Sequence, residues 1–146
     1  MHSILDEIKI TTALDHAEGS ADRTGAILDM AGYDGVLMVV KFGDIAADAV
    51  TSIRAQQDTD VAGGTMADLL DTGITVAHDD DNQIFIIDLY RPAERYVRLF
   101  LDKDAVHNTE EMAWYLQYGA NQRPTINTVT DEVTYEQHVS PAEGAA

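Results

Sequence analysis

The 146-residue chain has no cysteine, which excludes disulfides, thiolate metal sites and cysteine nucleophiles. Stability must come from packing or from assembly. Cations are scarce: nine Lys and Arg stand against 26 Asp and Glu, for a formal charge of −17. A field of that sign opposes unassisted binding to nucleic acid or to an anionic membrane, because both are held by positive groups. It favours solubility and resists self-association at low salt. No apolar run approaches the roughly 20 residues that cross a bilayer. The opening "MHSILDEIKITTALDH" is acidic where a secretory signal is basic, and it has no continuous apolar core. The expectation is one soluble domain, made and kept in the cytoplasm.

Motifs that carry catalysis are missing too. No serine stands in a nucleophile-elbow context, no glycine-rich loop leads from a strand into a helix, and no HExxH occurs. "VAGGTM" has a glycine pair but no following lysine, so it does not read as a phosphate loop. His2, His16, His78, His107 and His138 are scattered without paired metal spacing. The reading is a non-enzymatic protein with no cofactor and no metal.

What the chain does have is a series of short apolar or alternating runs separated by Gly, Asp and Asn, a pattern that predicts an all-β fold. Candidate strands are 8–14, 25–30, 36–42, 50–57, 74–78, 83–90, 95–102 and 112–118. Eight short strands suit a single-domain β-sandwich or a jelly-roll-like body. In "RYVRLFLD", Val97, Leu99 and Leu101 share one face and Tyr96, Arg98 and Phe100 the other. In "VTSIRAQQ", Thr51, Ile53 and Ala55 oppose Ser52, Arg54 and Gln56. "GVLMVVKF" is apolar on both faces and reads as a central strand covered on each side. Segments 43–50 and 65–71 are short helical candidates, each readable as a turn and the second also as a strand stub.

The segment "AHDDDNQIFIIDLYRPAERYVRLFLDKD", 77–104, concentrates the candidate chemistry. Asp79, Asp80 and Asp81 suggest a cation, but neighbouring aspartates in an extended chain point in opposite directions and the alternate-residue spacing of a calcium loop is missing. A turn built on Asp and Asn is the stronger reading. Pro92 ends the first run and predicts a hairpin-like connection, with Phe85, Ile87, Val97 and Leu99 in the core. No Lys or Arg lies between Ala55 and Tyr90, after which Arg91, Arg95, Arg98 and Lys103 follow closely. Arg91, Arg95 and Arg98 either pair with the chain's own aspartates or meet acidic groups on a neighbouring subunit. Trp114, Tyr115 and Tyr118, with Tyr90 and Tyr96, read as core or subunit interface, and an aromatic face able to stack on sugars is the alternative. Arg91, Arg95, Arg98, Trp114 and Tyr118 are the candidate contact residues.

Both ends look extended, giving an N-terminal strand or arm at 1–24, a body at 25–118 and a C-terminal arm at 119–146. Residues 15–24 are polar and read as flexible. "TINTVTDEVTYEQHV" has the Thr, Val and Tyr of an arm that becomes a strand when another surface supplies a partner. "SPAEGAA" reads as disordered.

The combination of "DRTGAILDMAGYDGVLMVVKFGDI" at 22–45, the run at 50–57, the segment 74–92 with its Tyr-Arg-Pro end, "RYVRL" at 95–99 and "WYLQYGANQRP" at 114–124 resembles small proteins of the structural module of tailed bacteriophages. The resemblance spans roughly residues 20–124. It implies a capsid cement or decoration protein: a β-sandwich or jelly-roll body without enzymatic activity, commonly trimeric, bound to the major capsid protein on the outside of the head. A head-tail connector or a tail component on a similar scaffold is the alternative. A clamp that touches several shell subunits gains avidity without any single strong contact, and polar arms suit that role. Assembly in a reducing cytoplasm fits the missing cysteines.

Overall fold

A computed structural model describes residues 3–127, 132–140 and 142–145. After a 3-10 turn at Ile4–Asp6 come β1 (Lys9–Gly19), β2 (Arg23–Thr24), β3 (Leu28–Asp29), β4 (Gly35–Ile45), β5 (Thr51–Asp58), β6 (Ala67–Asp68), β7 (Ile74–Val76), β8 (Ile84–Tyr90), β9 (Tyr96–Lys103) and β10 (Thr109–Tyr118). They form two antiparallel sheets. The first runs β1-β10-β4-β8; the second runs β2-β9-β5-β6, with β3 also on β9 and β7 on β5. The fold is the expected all-β sandwich.

Period-two patterning builds it. Along β9, Val97, Leu99 and Leu101 are fully buried and alternate with partly exposed Tyr96, Arg98 and Phe100. Thr51, Ile53 and Ala55 of β5 face the same core. From the first sheet, β4 contributes Val36, Met38, Val40 and Phe42, all fully buried. Phe42 meets Phe85 of β8 edge to face, with ring centres 5.5 Å apart. Each such side chain taken out of water contributes roughly 1.5–3 kcal/mol. β4 is central, as its sequence predicts, between β10 and β8.

The inward face of β10 is different, because it carries polar groups that cross the core and fasten one sheet to the other. The Tyr115 hydroxyl accepts from the Leu99 amide at 2.9 Å and donates to the Ala26 carbonyl at 2.9 Å. Gln117 donates to the Asp29 carbonyl at 2.8 Å. The buried Glu111 carboxylate receives Lys103 Nζ of β9 and Arg23 of β2, each at 2.9 Å, and the Thr109 hydroxyl at 2.6 Å. Lys103 stands on the core face of its strand, so its charge is acceptable there only with such a partner.

Several expectations need correction. The two runs in 77–104 do not make a hairpin: β8 lies in the first sheet and β9 in the second. The core lies between the sheets, and β8 with Phe85 and Ile87 covers one side of it while β9 with Val97, Leu99 and Leu101 covers the other, so the chain crosses over. Arg91 with φ +51°, followed by Pro92, makes the sharp bend. Residues 15–19 are not a loose segment, because β1 continues to Gly19 and pairs with Glu111, Glu110 and Thr109. Their polarity is that of an exposed edge strand. The candidate strand 25–30 is replaced by β2 and β3, two short pairings with β9 on either side of Gly25 and Ala26. Gly25 is fixed by packing, since a Cβ there would lie 2.4 Å from the Tyr115 hydroxyl. Neither helical candidate forms: β4 runs on to Ile45, and 65–71 contains the strand stub β6 paired with Gln56 and Gln57.

The ends fold back on the body where they are described. Thr125 Oγ1 lies within hydrogen-bond reach of the Leu5 and Ile8 carbonyls, at 2.9 and 2.8 Å. The Asn127 side chain accepts from the Ile10 amide at 2.9 Å and donates to the Ile8 carbonyl at 2.8 Å. The first part of the C-terminal arm therefore clasps the start of β1 instead of leaving the molecule. Residues 132–140 are described and belong to no strand, while 128–131 of the expected arm, and 141 and 146 of "SPAEGAA", lie outside the described residues.

Candidate interaction face

Directly opposed residues of an antiparallel pair share a face, so the registers trace rows across the first sheet. The rows Ile10–Leu116–Leu37–Asp88, Thr12–Trp114–Val39–Ile86, Met112–Lys41–Ile84 and Tyr118–Gly35–Tyr90 all point away from the core. The result is a largely apolar outer surface. Ile84 is 56% exposed, Ile86 52%, Tyr90 59% and Met112 40%. Val39, in the middle of its row, is buried. "GVLMVVKF" is buried or half-buried along both of its faces, as expected of a central strand covered on each side. A contiguous exposed apolar patch of this kind marks an interaction surface.

Lys41, Tyr118 and Asp88 on this face are bonded. Lys41 Nζ donates to the Asn82 carbonyl. The Tyr118 hydroxyl donates to Asp88 at 2.5 Å. Burial first, and then this bond to a carboxylate, push the Tyr118 phenol up to about 12. Its ring lies over Gly35, where a Cβ would be 2.3 Å from the ring. Glycine at this position lets the aromatic ring lie flat on the sheet.

The outer face of the second sheet has the opposite character. Arg54 stacks over Phe100, 4.3 Å from the ring centre, and holds Asp68 and Asp102 at 2.8 and 2.9 Å. Gln56 accepts from Arg98 Nε at 2.7 Å and donates to Asp68 at 2.7 Å. The Gln56 bond, followed by Arg54, holds the Asp68 carboxyl below its ordinary range. Arg54, Gln56 and Arg98 are thus paired within this surface.

The structure separates the sequence candidates into three places. Trp114 and Tyr118 stand together on the open face of the first sheet. Arg91 and Arg95 line one shallow groove with Tyr33, Asp34 and Pro92. Arg95 is occupied there, gripping Asp29 through Nε and a terminal nitrogen at 2.9 and 2.8 Å, and this grip holds the Asp29 carboxyl below the usual range. Arg91 is exposed, its guanidinium 5.1 Å from the Tyr90 ring centre, and it forms no ion pair among the described residues. Arg98 lies on the second sheet, and its partner is an amide, not an aspartate.

Residues 79–82 form the expected turn. Asp80 accepts from the Ala77 amide at 2.8 Å, Asp81 accepts from the Ile45 amide at 2.7 Å, and Asn82 takes φ +62°. These carboxylates are spent on backbone donors. Among the described residues no group of three His, Asp or Glu is placed to hold a metal. Sequence reasoning missed Ile84 and Ile86 as exposed residues; the signal was the "IFII" of this edge strand.

Two antiparallel sheets around one core define a β-sandwich. No helix among the described residues is long and apolar enough to cross a membrane. No family model matches the sequence, and no curated protein sequence matches it. In fold the chain is similar to the solved structure of PBSX exported protein XepA, with a TM-score of 0.54 and 15% identity, over 98% of this chain and 46% of that one. The chain thus spans about half the length of that protein, and the likeness is one of fold.

Proposed function

We propose that the protein is a non-enzymatic structural component of a bacteriophage virion, a cement or decoration protein that binds the outer surface of the head. Its partner in this reading is the major capsid protein, and its working form is a trimer. The observation that carries the proposal is the open face around Trp114, Val39 and Ile86, an apolar surface on a chain of charge −17. Apolar contact gives affinity there, while the acidic remainder keeps the particle exterior soluble. The fold likeness to an exported protein of phage PBSX supports a phage setting, as does the sequence resemblance. Co-sedimentation with purified heads tests the proposal. The intact chain pellets with the heads, and Trp114→Ala weakens that binding at least tenfold while the melting temperature stays within a few degrees. Equal binding by the variant removes this face from the reading.

A second reading is favoured by one observation: Trp114, Tyr118 and Tyr90 share an outer face, as a sugar-stacking platform requires. A glycan array without hits disposes of it.

A further inference from the structure

The two edges of the first sheet are built differently. β1 breaks register between Thr12 and Leu14 and again between Leu14 and Ala17, and the Asn127 side chain occupies its Ile10 amide. Bulges and a covering group are how proteins blunt an edge. β8, at the other edge, pairs with β4 from Ile84 to Tyr90 without any register shift and has no further strand beside it among the described residues. Its "IFIIDLY" holds no proline, lysine or glycine. At one end of the pairing the Phe42 amide donates to the Gln83 carbonyl, and at the other the Arg91 amide donates to the Asp34 carbonyl. Bonded and non-bonded pairs alternate along an antiparallel ladder, so the backbone groups of Phe85, Ile87 and Leu89 face β4 and those of Ile84, Ile86, Asp88 and Tyr90 face outward. Those outward groups have no backbone partner among the described residues.

A second copy of the same edge fits this one. With two β8 strands antiparallel about a two-fold axis at Ile87, Ile84 stands opposite Tyr90 and Ile86 opposite Asp88, and every outward N–H and C=O of both strands gains a partner. The exposed side chains of Ile84, Ile86 and Tyr90 then lie together on the outer side of the joint. On its inner side Phe85 meets Leu89, both only half-buried in the single chain, and Ile87 meets its own copy. Sliding the strands by two residues is worse in either direction: one slip sets Asp88 against Asp88, and the other carries Tyr90 past the strand to Asn82. The ends match in charge as well. Arg91, exposed and without an ion pair among the described residues, falls opposite Gln83 of the second copy, next to its acidic turn at Asp79–Asp81. Asp80 and Asp81 hold backbone amides, whereas Asp79 is exposed and makes no bond among the described residues.

We infer that β8 is a self-pairing edge: two copies join β8 to β8 in this register, doubling the four-stranded sheet into one continuous sheet, with Arg91 of each copy set against the acidic turn of the other. The contact is isologous, so it closes at two copies and does not run on as a filament. Residues opposed across the joint share a face, which sets the apolar outer faces of both copies side by side on one surface. A three-fold contact elsewhere on the molecule is compatible with it, and the edge then joins two trimers. The inference concerns assembly of the chain with itself and stands apart from what the open face binds.

Light scattering on the purified full chain tests this in about 0.15 M salt, where repulsion between two acidic chains is screened beyond about 8 Å. The intact chain has twice the mass of Ile86→Pro at the same concentration. Proline there removes an outward donor and leaves the bonds to β4 in place, so that variant keeps its cooperative melting transition. Ile84→Lys, which charges an exposed position of the edge, halves the mass in the same way. Arg91→Glu weakens the pairing about tenfold, read from mass against concentration, because like charges then meet at both ends of the joint. A chain ending at Asn127 keeps the doubled mass. Equal masses for the intact chain and the two edge variants overturn the inference, and so does pairing of full strength in Arg91→Glu. A doubled mass that is lost on cutting back to Asn127 also overturns it, since the C-terminal segment then makes the contact.

Discussion

The hydroxyl of Tyr115 on β10 lies 2.9 Å from the Leu99 amide on β9, so a single phenol ties the two sheets together through the middle of the core. The same oxygen donates to Ala26, and burial raises the phenol well above its ordinary range. Tyr115→Phe leaves one buried amide and one carbonyl without their partner. The expected loss is about 2 kcal/mol, read as a lower urea midpoint at unchanged slope. An unchanged midpoint means that the phenol is not a tie.

Glu111 answers both Lys103 and Arg23 inside the sandwich. Glu111→Ala strands a buried ammonium and is expected to cost about 3–5 kcal/mol. Adding Lys103→Met to that variant returns part of the loss, because the stranded charge is then gone. Denaturation of the single and double variants checks this, and simple additivity of the two changes would contradict it.

Acid sensitivity follows from the carboxylates. Asp104 is held far below its ordinary range, first by the His107 amide and then by the Val50 amide and the His107 side chain, and Asp29 is lowered by Arg95. A depressed folded-state value contributes stability that is fully present above the unfolded value of about 4 and is lost as pH falls below it. Melting temperature should therefore hold from neutral pH down to about 5 and drop below 4, with a shallower drop in Asp104→Asn.

Tyr118 gives the mirror-image case on the alkaline side. Its folded value of about 12 lies above the ordinary 10.0, so its contribution is present below 10 and disappears as pH rises toward 12. Asp88→Asn removes the carboxylate that holds the phenol proton. Phenolate absorbance should then develop at lower pH than in the intact chain.

Deleting residues 3–19 removes β1 and with it Ala13 and Leu14 of the core, and it bares β10. The truncated chain is expected to lose its cooperative melting transition. A retained transition would make β1 an appendage of the fold.

Much of the architecture was legible wherever one strand face meets the core. The alternation in β9 and β5 predicted Val97, Leu99, Ile53 and Ala55 as buried, and they are. The Asp79–Asn82 turn was readable from residue chemistry. Sheet membership was not, since 83–90 and 95–102 look like one hairpin until the sandwich requires each to cover a different side of the core. Residues 15–19 looked loose because an edge strand in water has no apolar signature. The five candidate contact residues were chosen by side-chain type. Type says nothing about which neighbour is within reach: Arg95 finds Asp29, Arg98 finds Gln56, Arg91 and Arg95 share a groove, and Trp114 and Tyr118 share a face.

Electron cryo-microscopy of purified particles tests the central claim most directly. The account predicts this β-sandwich on the outer surface of the head, with the face of Trp114, Val39 and Ile86 turned toward the shell. Particles whose shell lacks the chain, or carries it with that face toward solvent, would contradict it.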